Sequence, residues 1–369
     1  LLEEKGFIIE KKTIKHMVAT YERSKKEIEY VMIPQWFVSI LKHKETFLDL
    51  ANAIEWRPTH MKHRYIDWVK NLQWDWCISR QRFFGIPFPV WYDEKGNVIL
   101  PDDNQLPIDP INDKPKNYNG TVVPDYDVMD TWNTSSLTPL ICFELYKKHV
   151  NPYAVQKDFI SMSMRPQAHD IIRTWAFDTI VKVWMHQSTI PWKEIDISGH
   201  VLTSGKDKIS KSKNNALSNP LELIEKYSAD AVRYWTSSTK LGTDTLFAED
   251  QLKNGSKLVM KLWNAGQFVG LYKSDVVTNS FTNPFVVWMI NECQAITKKY
   301  HEYLKEREFS LALELVENSF WKKFCDDFLE IIENKPTEIQ GEMLVNKLNF
   351  KDDSLPIDGV FIIKDSMSP

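Results

Sequence analysis

Apolar positions along the chain change period several times, and each change predicts an element. From Ala168 to Trp184, the residues Ile171, Ile172, Trp175, Ala176, Thr179, Ile180 and Val183 recur at helical spacing, as on a helix that buries one stripe. Short apolar runs flank it: Phe159 to Met164, which reads as a buried strand, and Glu194 to Val201, which reads as a second. Strand, helix and strand in such close succession form a βαβ unit, and so a parallel sheet whose ligands sit at the carboxyl ends of its strands. Asn219 followed by Pro220 is a capped helix start, predicting helices over Leu221 to Tyr227 and Ala229 to Ser237. Beyond Asp250 the period is helical throughout, over Leu252 to Tyr272, Pro284 to Leu304 and Ser310 to Glu333.

The amino-terminal third is less regular. Ile28 to Met32 alternates, Phe37 to Ala53 is a polar, helix-like stretch, and residues 1–60 together read as a small mixed piece. Aromatic residues crowd between Tyr65 and Tyr92, including Trp68, Trp74, Trp76, Phe83, Phe84, Phe88 and Trp91. Residues 93–124 are rich in Asp, Asn and Pro and read as a long surface excursion. No internal repeat is visible, and the tail after Lys335 shows no clear period.

Composition narrows the classes. The 369 residues carry 46 Lys+Arg against 50 Asp+Glu, a formal net charge of −4, with 43% hydrophobic and 26% charged residues. That is an ordinary multidomain globular composition, which excludes a fibrous or disordered chain and a surface coated with basic charge. No apolar run approaches a membrane span and no signal peptide is evident, so a cytoplasmic protein without membrane contact is expected. Cys77, Cys142, Cys293 and Cys325 lie far apart without a C-x-x-C pair, which points to reduced thiols rather than zinc knuckles or disulfides. The chain opens on Leu1 without an initiating Met, which suggests a fragment.

The sharpest chemical signal is Gly205-Lys206-Asp207-Lys208-Ile209-Ser210-Lys211-Ser212-Lys213, between the second strand and a helix. A lysine-rich loop is most often a solvated charge run. At the carboxyl end of a parallel strand, however, its ammonium groups can neutralise charge developing on a leaving pyrophosphate.

Four further segments accompany that loop in order. They are Asp75-Trp76-Cys77-Ile78-Ser79-Arg80-Gln81, Asp127-Val128-Met129-Asp130-Thr131-Trp132, Arg165-Pro166-Gln167-Ala168-His169-Asp170-Ile171-Ile172-Arg173-Thr174-Trp175 and Tyr227-Ser228-Ala229-Asp230-Ala231-Val232-Arg233-Tyr234-Trp235. Lys208-Ile209-Ser210-Lys211-Ser212 resembles the K-M-S-K-S loop of class I aminoacyl-tRNA synthetases, and the five segments together resemble the valyl-tRNA synthetase family. The fold implied is the second half of a Rossmann-like class I catalytic domain, an α/β unit with a parallel sheet, followed by an all-α bundle.

The resemblance implies domains at 1–60 (remnant of an inserted editing domain), 61–250 (catalytic, with the lysine loop) and 251–335 (start of an anticodon-binding domain), leaving 336–369 unassigned. It implies ATP-dependent activation of valine and its transfer to tRNA(Val), with Mg2+ arriving on ATP, and a monomeric enzyme; the stretch from Trp91 to Val123 matches one that carries paired cysteines on zinc in many relatives, but it has none here, so no zinc is expected. It assigns catalysis to Lys208 and Lys211, and ATP binding to Asp170, Gly199, His200, Lys208, Ser210, Lys211 and Ser212. It assigns the valine pocket to Trp132, Ile171 and Trp175, with no metal ligand. Read without the family, Asp170 is equally a helix N-cap, His200 a structural histidine, and the tryptophans core residues. A wall of indole excludes isoleucine by volume but not isosteric threonine, so an editing step is implied. Arg80 and Gln81 are expected to hold the catalytic face together, while Lys298-Lys299 and Lys322-Lys323 are candidate tRNA phosphate contacts. Ala168 and Asn214 stand where the family usually has Gly, and Asn also tolerates a left-handed backbone. No H-I-G-H sequence occurs, so the half of the site that would carry it is absent and the isolated chain is expected to be inactive. The competing readings are a noncatalytic tRNA-binding module derived from a synthetase, and an isoleucyl or leucyl ligase.

Overall fold

The structure, a computed structural model, describes residues 2–21, 24–29, 31–149, 159–203, 208–209, 219–270 and 282–334. The chain divides into two compact units, residues 1–42 with 73–133, and residues 43–72 with 134–369.

The second unit is organised on a three-stranded parallel sheet, in the order Glu55–Arg57, Trp192–Ser198, Met162–Ala168. Ile195 lies in register with Trp56 on one side and Arg165 on the other. Trp192, Ile195 and Ile197 of the central strand are fully buried, as expected of a strand covered on both faces. Helix Phe177–Gln187 covers it with Phe177, Ile180, Val181 and Val183, and ends at Ser188, whose left-handed backbone (φ 54°) donates its N–H to Trp184 O. Helices Lys44–Ala53 and Lys62–Lys70 extend this core: Phe47 meets Phe177 edge-on at 5.8 Å, and Tyr65 packs on Trp56 at 5.6 Å.

Three expectations are corrected here. The strand expected over Phe159 to Met164 forms at Met162–Ala168, and it is largely exposed, because it pairs on one side only and so stands at the sheet edge. The helical stripe of Ala168 to Trp184 begins as a 3-10 turn (His169–Ile171) and a π-helical turn (Ile172–Ala176), and turns α-helical only at Phe177. Phe37 to Ala53 splits into a short strand, Phe37–Val38, and a helix, Lys44–Ala53.

The later helices lie close to their expected positions, at Pro220–Tyr227, Ala229–Ser237, Glu249–Gly270, Pro284–Lys305 and Phe309–Asn318, the last continuing helically to Asn334. Asn219 accepts from the N–H groups of Leu221 and Glu222 while Glu222 reaches back, a complete capping box. Two arginines tie the helical hairpin to the sheet: Arg57 donates to Glu306 at 2.6 Å, and Arg307 donates to Glu194 at 2.9 Å and stands 3.5 Å from Asp196.

The first unit consists of short antiparallel pairs: Phe37–Val38 with Trp76–Cys77, Ser79–Arg80 with Val128–Met129, and Trp91–Asp93 between Val98–Ile99 and Val122–Pro124. The expected surface excursion is therefore partly a sheet, anchored by buried Trp91, whose indole N–H donates to Pro110 O at 3.0 Å. Asp75 accepts from the backbone of Ile40 and Leu41 at 2.8 and 3.0 Å. Arg80 pairs with Asp130 at 2.7 Å and Gln81 donates to Asp127 at 2.9 Å, so both knit two of the sequence segments together within this unit. The four cysteines are free thiols. No helix among the described residues is long and apolar enough to cross a membrane.

Candidate active site

The central strand ends at Ser198, and the chain passes through Gly199 and His200 into the short strand Val201–Leu202. This strand pairs in parallel with Thr245–Leu246. A side chain at position 199 has no room, since a Cβ there would meet Thr243 O at 2.0 Å and Asp244 N at 2.5 Å. Glycine is thus required by close backbone approach, and that approach brings Asp244 onto the strand end. Its Oδ1 accepts the His200 N–H at 2.8 Å and lies 2.8 Å from His169 Nε2. The His169 and His200 rings pack against each other with centroids 4.4 Å apart.

Asp170 lies next to this pair, in the turn His169–Ile171. Ala168, not Asp170, holds the N-cap position, and the Asp170 carboxylate instead receives the Lys208 ammonium at 2.7 Å, with His200 Nε2 at 3.7 Å. Lys208 is held there by its backbone: it bridges to Leu202, and Ile209 donates its N–H to Val201 O at 3.0 Å. Burial pushes the Asp170 carboxyl up, but the hydrogen bond and charge of Lys208 outweigh this and hold it below the usual carboxylate value. Burial and the nearby Lys208 hold His200 below the ordinary imidazole value, against the opposing pull of Asp170. The His200 N–H, and then the His169 ring, stabilise ionised Asp244. Ser210, Lys211 and Ser212 lie outside the described residues.

A cleft of about 620 Å³ opens beside Asp170, between His169, Asp170, Ile172 and Arg173 on one wall and Arg64, Asp67, Trp68 and Asn71 on the other. Of the expected pocket residues, Ile171 is half-buried one position from Asp170, and Trp175 is buried one helical turn further on. Trp132 lies on the short helix Thr131–Ser135, 37% exposed, its backbone N–H donated to Asp130. The structure thus brings Asp170, Gly199, His200 and Lys208 together at one strand end. It adds two residues that the sequence did not single out, Asp244 and His169. Asp244 sits in a polar turn, Gly242-Thr243-Asp244, that has no periodic signal of its own; only the pairing of Val201–Leu202 with Thr245–Leu246 brings it to the site. Among the described residues no three His, Cys, Asp or Glu side chains gather as a metal-binding group.

Residues 7–248 match the family model "tRNA synthetases class I (I, L, M and V)", and residues 287–345 match "Anticodon-binding domain of tRNA ligase". The chain is 44% identical over 351 residues to the valine–tRNA ligase of Rickettsia conorii, covering 90% of this chain and 43% of the relative. It is 42% identical over 355 residues to that of Rickettsia felis, covering 91% of this chain and 41% of the relative. It thus spans less than half the length of these relatives. Among solved structures, Mycobacterium tuberculosis methionyl-tRNA synthetase in complex with methionyl-adenylate superposes with a TM-score of 0.62 at 15% identity, over 88% of this chain and 59% of that one. That likeness shows a shared fold. With its family match covering both the parallel sheet and the Asp170–Lys208 cluster at its carboxyl edge, the chain belongs to the class I tRNA synthetases of the isoleucine, leucine, methionine and valine group.

Proposed function

We propose that this chain is the part of a valine–tRNA ligase that carries the lysine loop, the ribose-binding carboxylate and one wall of the amino-acid pocket. The observation that carries the reading is the meeting of Asp170, His200 and Lys208 at the carboxyl end of the central parallel strand. The valine–tRNA ligases to which the chain is 42–44% similar in identity supply the amino acid.

On this reading the valine carboxylate attacks the α-phosphorus of ATP, pyrophosphate leaves, and the terminal ribose of tRNA(Val) then takes the valyl group from AMP. Asp170 accepts the ATP ribose hydroxyls, Gly199 and His200 border the adenine, and Ser210 and Ser212 hold the loop against ATP. Lys208 and Lys211 neutralise the departing pyrophosphate without any covalent intermediate. Trp132, Ile171 and Trp175 exclude larger side chains from the valine site. Mg2+ enters only as the companion of ATP, and no zinc is required.

The domain limits proposed are 1–60, an editing-domain remnant; 61–250, catalytic; and 251–335, anticodon-binding, with 336–369 unassigned. The enzyme is proposed to act as a cytoplasmic monomer. An intact Lys208 engaged with Asp170 favours a catalytic role over a purely tRNA-binding one. Charging of a valine tRNA transcript by the full-length protein carrying this sequence, against isoleucine and leucine tRNAs as controls, tests the reading. Selective valylation supports it, and charging of another tRNA with its own amino acid refutes it.

A further inference from the structure

Trp175 is held more firmly than a helix position alone would dictate. Its indole stacks on Trp192, with centroids 5.4 Å apart and planes within 8°. Its N–H donates to Ser135 O at 3.3 Å. The Arg165 guanidinium is centred over the same indole at 3.8 Å. Trp192 and Arg165 thus both pack on the indole, and Trp175 is accordingly 8% exposed.

Arg165 is itself unusual. It stands on the edge strand opposite Ile195, its Nε is buried without a hydrogen-bond partner, and among the described residues no carboxylate forms an ion pair with it. Burial holds the guanidinium below its ordinary pKa. Taking a cation out of water without a counter-ion is unfavourable, and what offsets it here is the quadrupole of the indole face. A planar guanidinium suits this contact better than a lysine ammonium, because it is more weakly hydrated and can stack on an aromatic face.

We propose that Arg165 is a specificity-positioning residue: by holding the Trp175 indole in its stack with Trp192 it sets how far that indole projects into the amino-acid pocket. The inference rests on the reading of Trp175 as a wall of the valine site. It predicts that loosening the stack lets the indole tilt, so that the pocket loses its fit to valine and its rejection of isoleucine, while the ATP side is untouched.

The test is ATP–pyrophosphate exchange by the full-length protein and its Arg165→Met, Arg165→Lys and Trp175→Ala variants, with valine and isoleucine varied separately. Arg165→Met is expected to lower the valine-to-isoleucine ratio of kcat/KM on the order of tenfold, mainly through a higher valine KM, with kcat and the KM for ATP close to wild type. Arg165→Lys, which keeps the charge but not the plate, is expected to lie between the two. A changed preference in Trp175→Ala with wild-type preference in Arg165→Met overturns the inference but leaves the pocket reading standing. Wild-type preference in both overturns both. Should Arg165→Met fail to fold by thermal unfolding, Arg165→Lys decides alone: a reduced preference supports the stack, and an unchanged one refutes it.

Discussion

Lys208 Nζ lies 2.7 Å from Asp170 Oδ2, an ion pair between the lysine loop and the turn that opens the pocket helix. The two groups are assigned to opposite ends of one substrate, the lysine to the phosphates and the carboxylate to the ribose. On the proposed reading, ATP bound through both must part or share this pair. Asp170→Asn is expected to raise the KM for ATP on the order of tenfold, since a hydrogen bond to a charged acceptor is worth about 1.5–3 kcal/mol. The KM for valine should change little. ATP and valine titrations of pyrophosphate exchange check this, and an unaltered ATP KM removes Asp170 from the nucleotide site.

Asp244 acts on the same site through the histidines. One carboxylate oxygen serves both the His200 backbone N–H and His169 Nε2, so Asp244→Ala frees the His169 ring and the backbone at His200 while leaving Asp170 and Lys208 in place. The expected result is a severalfold rise in the ATP KM with the helices intact by circular dichroism. Wild-type nucleotide affinity in the folded variant would reduce Asp244 to a loop tether.

Gly199 admits no side chain beside Thr243 O. Gly199→Ala is expected to destabilise the second unit by about 1–3 kcal/mol or more, the usual cost of forcing atoms into a filled site. Urea unfolding reads this directly. A variant as stable as wild type would mean that the 243–244 segment yields easily and does not fix the strand end.

Asp196, on the central strand, is pushed up to about 6 by burial and by the neighbouring Glu194, against the opposing charges of Arg307 and Arg57. A carboxyl whose folded pKa lies above its unfolded value stabilises the fold in its protonated form. That contribution is complete below about 3.8 and is lost as the pH rises through about 6. Subtracting the unfolding free energy of Asp196→Asn from that of wild type should therefore give a difference that falls between these pH values and is level above them. A flat difference would show that folding leaves the affinity of this carboxyl for its proton unchanged.

How legible all this was in the sequence depends on the range of the interactions. Helices whose ends are set locally, by Asn219 and its capping box or by the stripe ending near Ser237, were placed within a residue or two. Two strands of the sheet were legible as runs that overlap the observed Met162–Ala168 and Trp192–Ser198 with shifted limits, but the third, Glu55–Arg57, was not: it is three residues long, and its strand character comes from pairing with Glu194 to Asp196, far along the chain. Edge exposure of Met162 and Met164 was invisible for the same reason, because burial depends on what lies on the far side of a strand. At the site, Asp170 and Lys208 were legible because they sit in recognisable segments, and His200 only by its place after Gly199 in the resemblance. The roles of Asp244 and Arg165 were not legible, although Arg165 opens a recognised segment, because one needs a strand pairing and the other a stacked ring.

The central claim, that this chain supplies the lysine loop and part of the amino-acid site of a valine-activating enzyme, is tested most directly by amino-acid-dependent ATP–pyrophosphate exchange. The full-length protein carrying this sequence is compared with its Lys211→Ala variant. Valine, and not leucine or methionine, is expected to support exchange, and loss of one preorganised charge worth about 2.7–4 kcal/mol is expected to lower the rate about a hundredfold or more with little change in valine affinity. Exchange driven by another amino acid, or an undiminished rate in the variant, would contradict it.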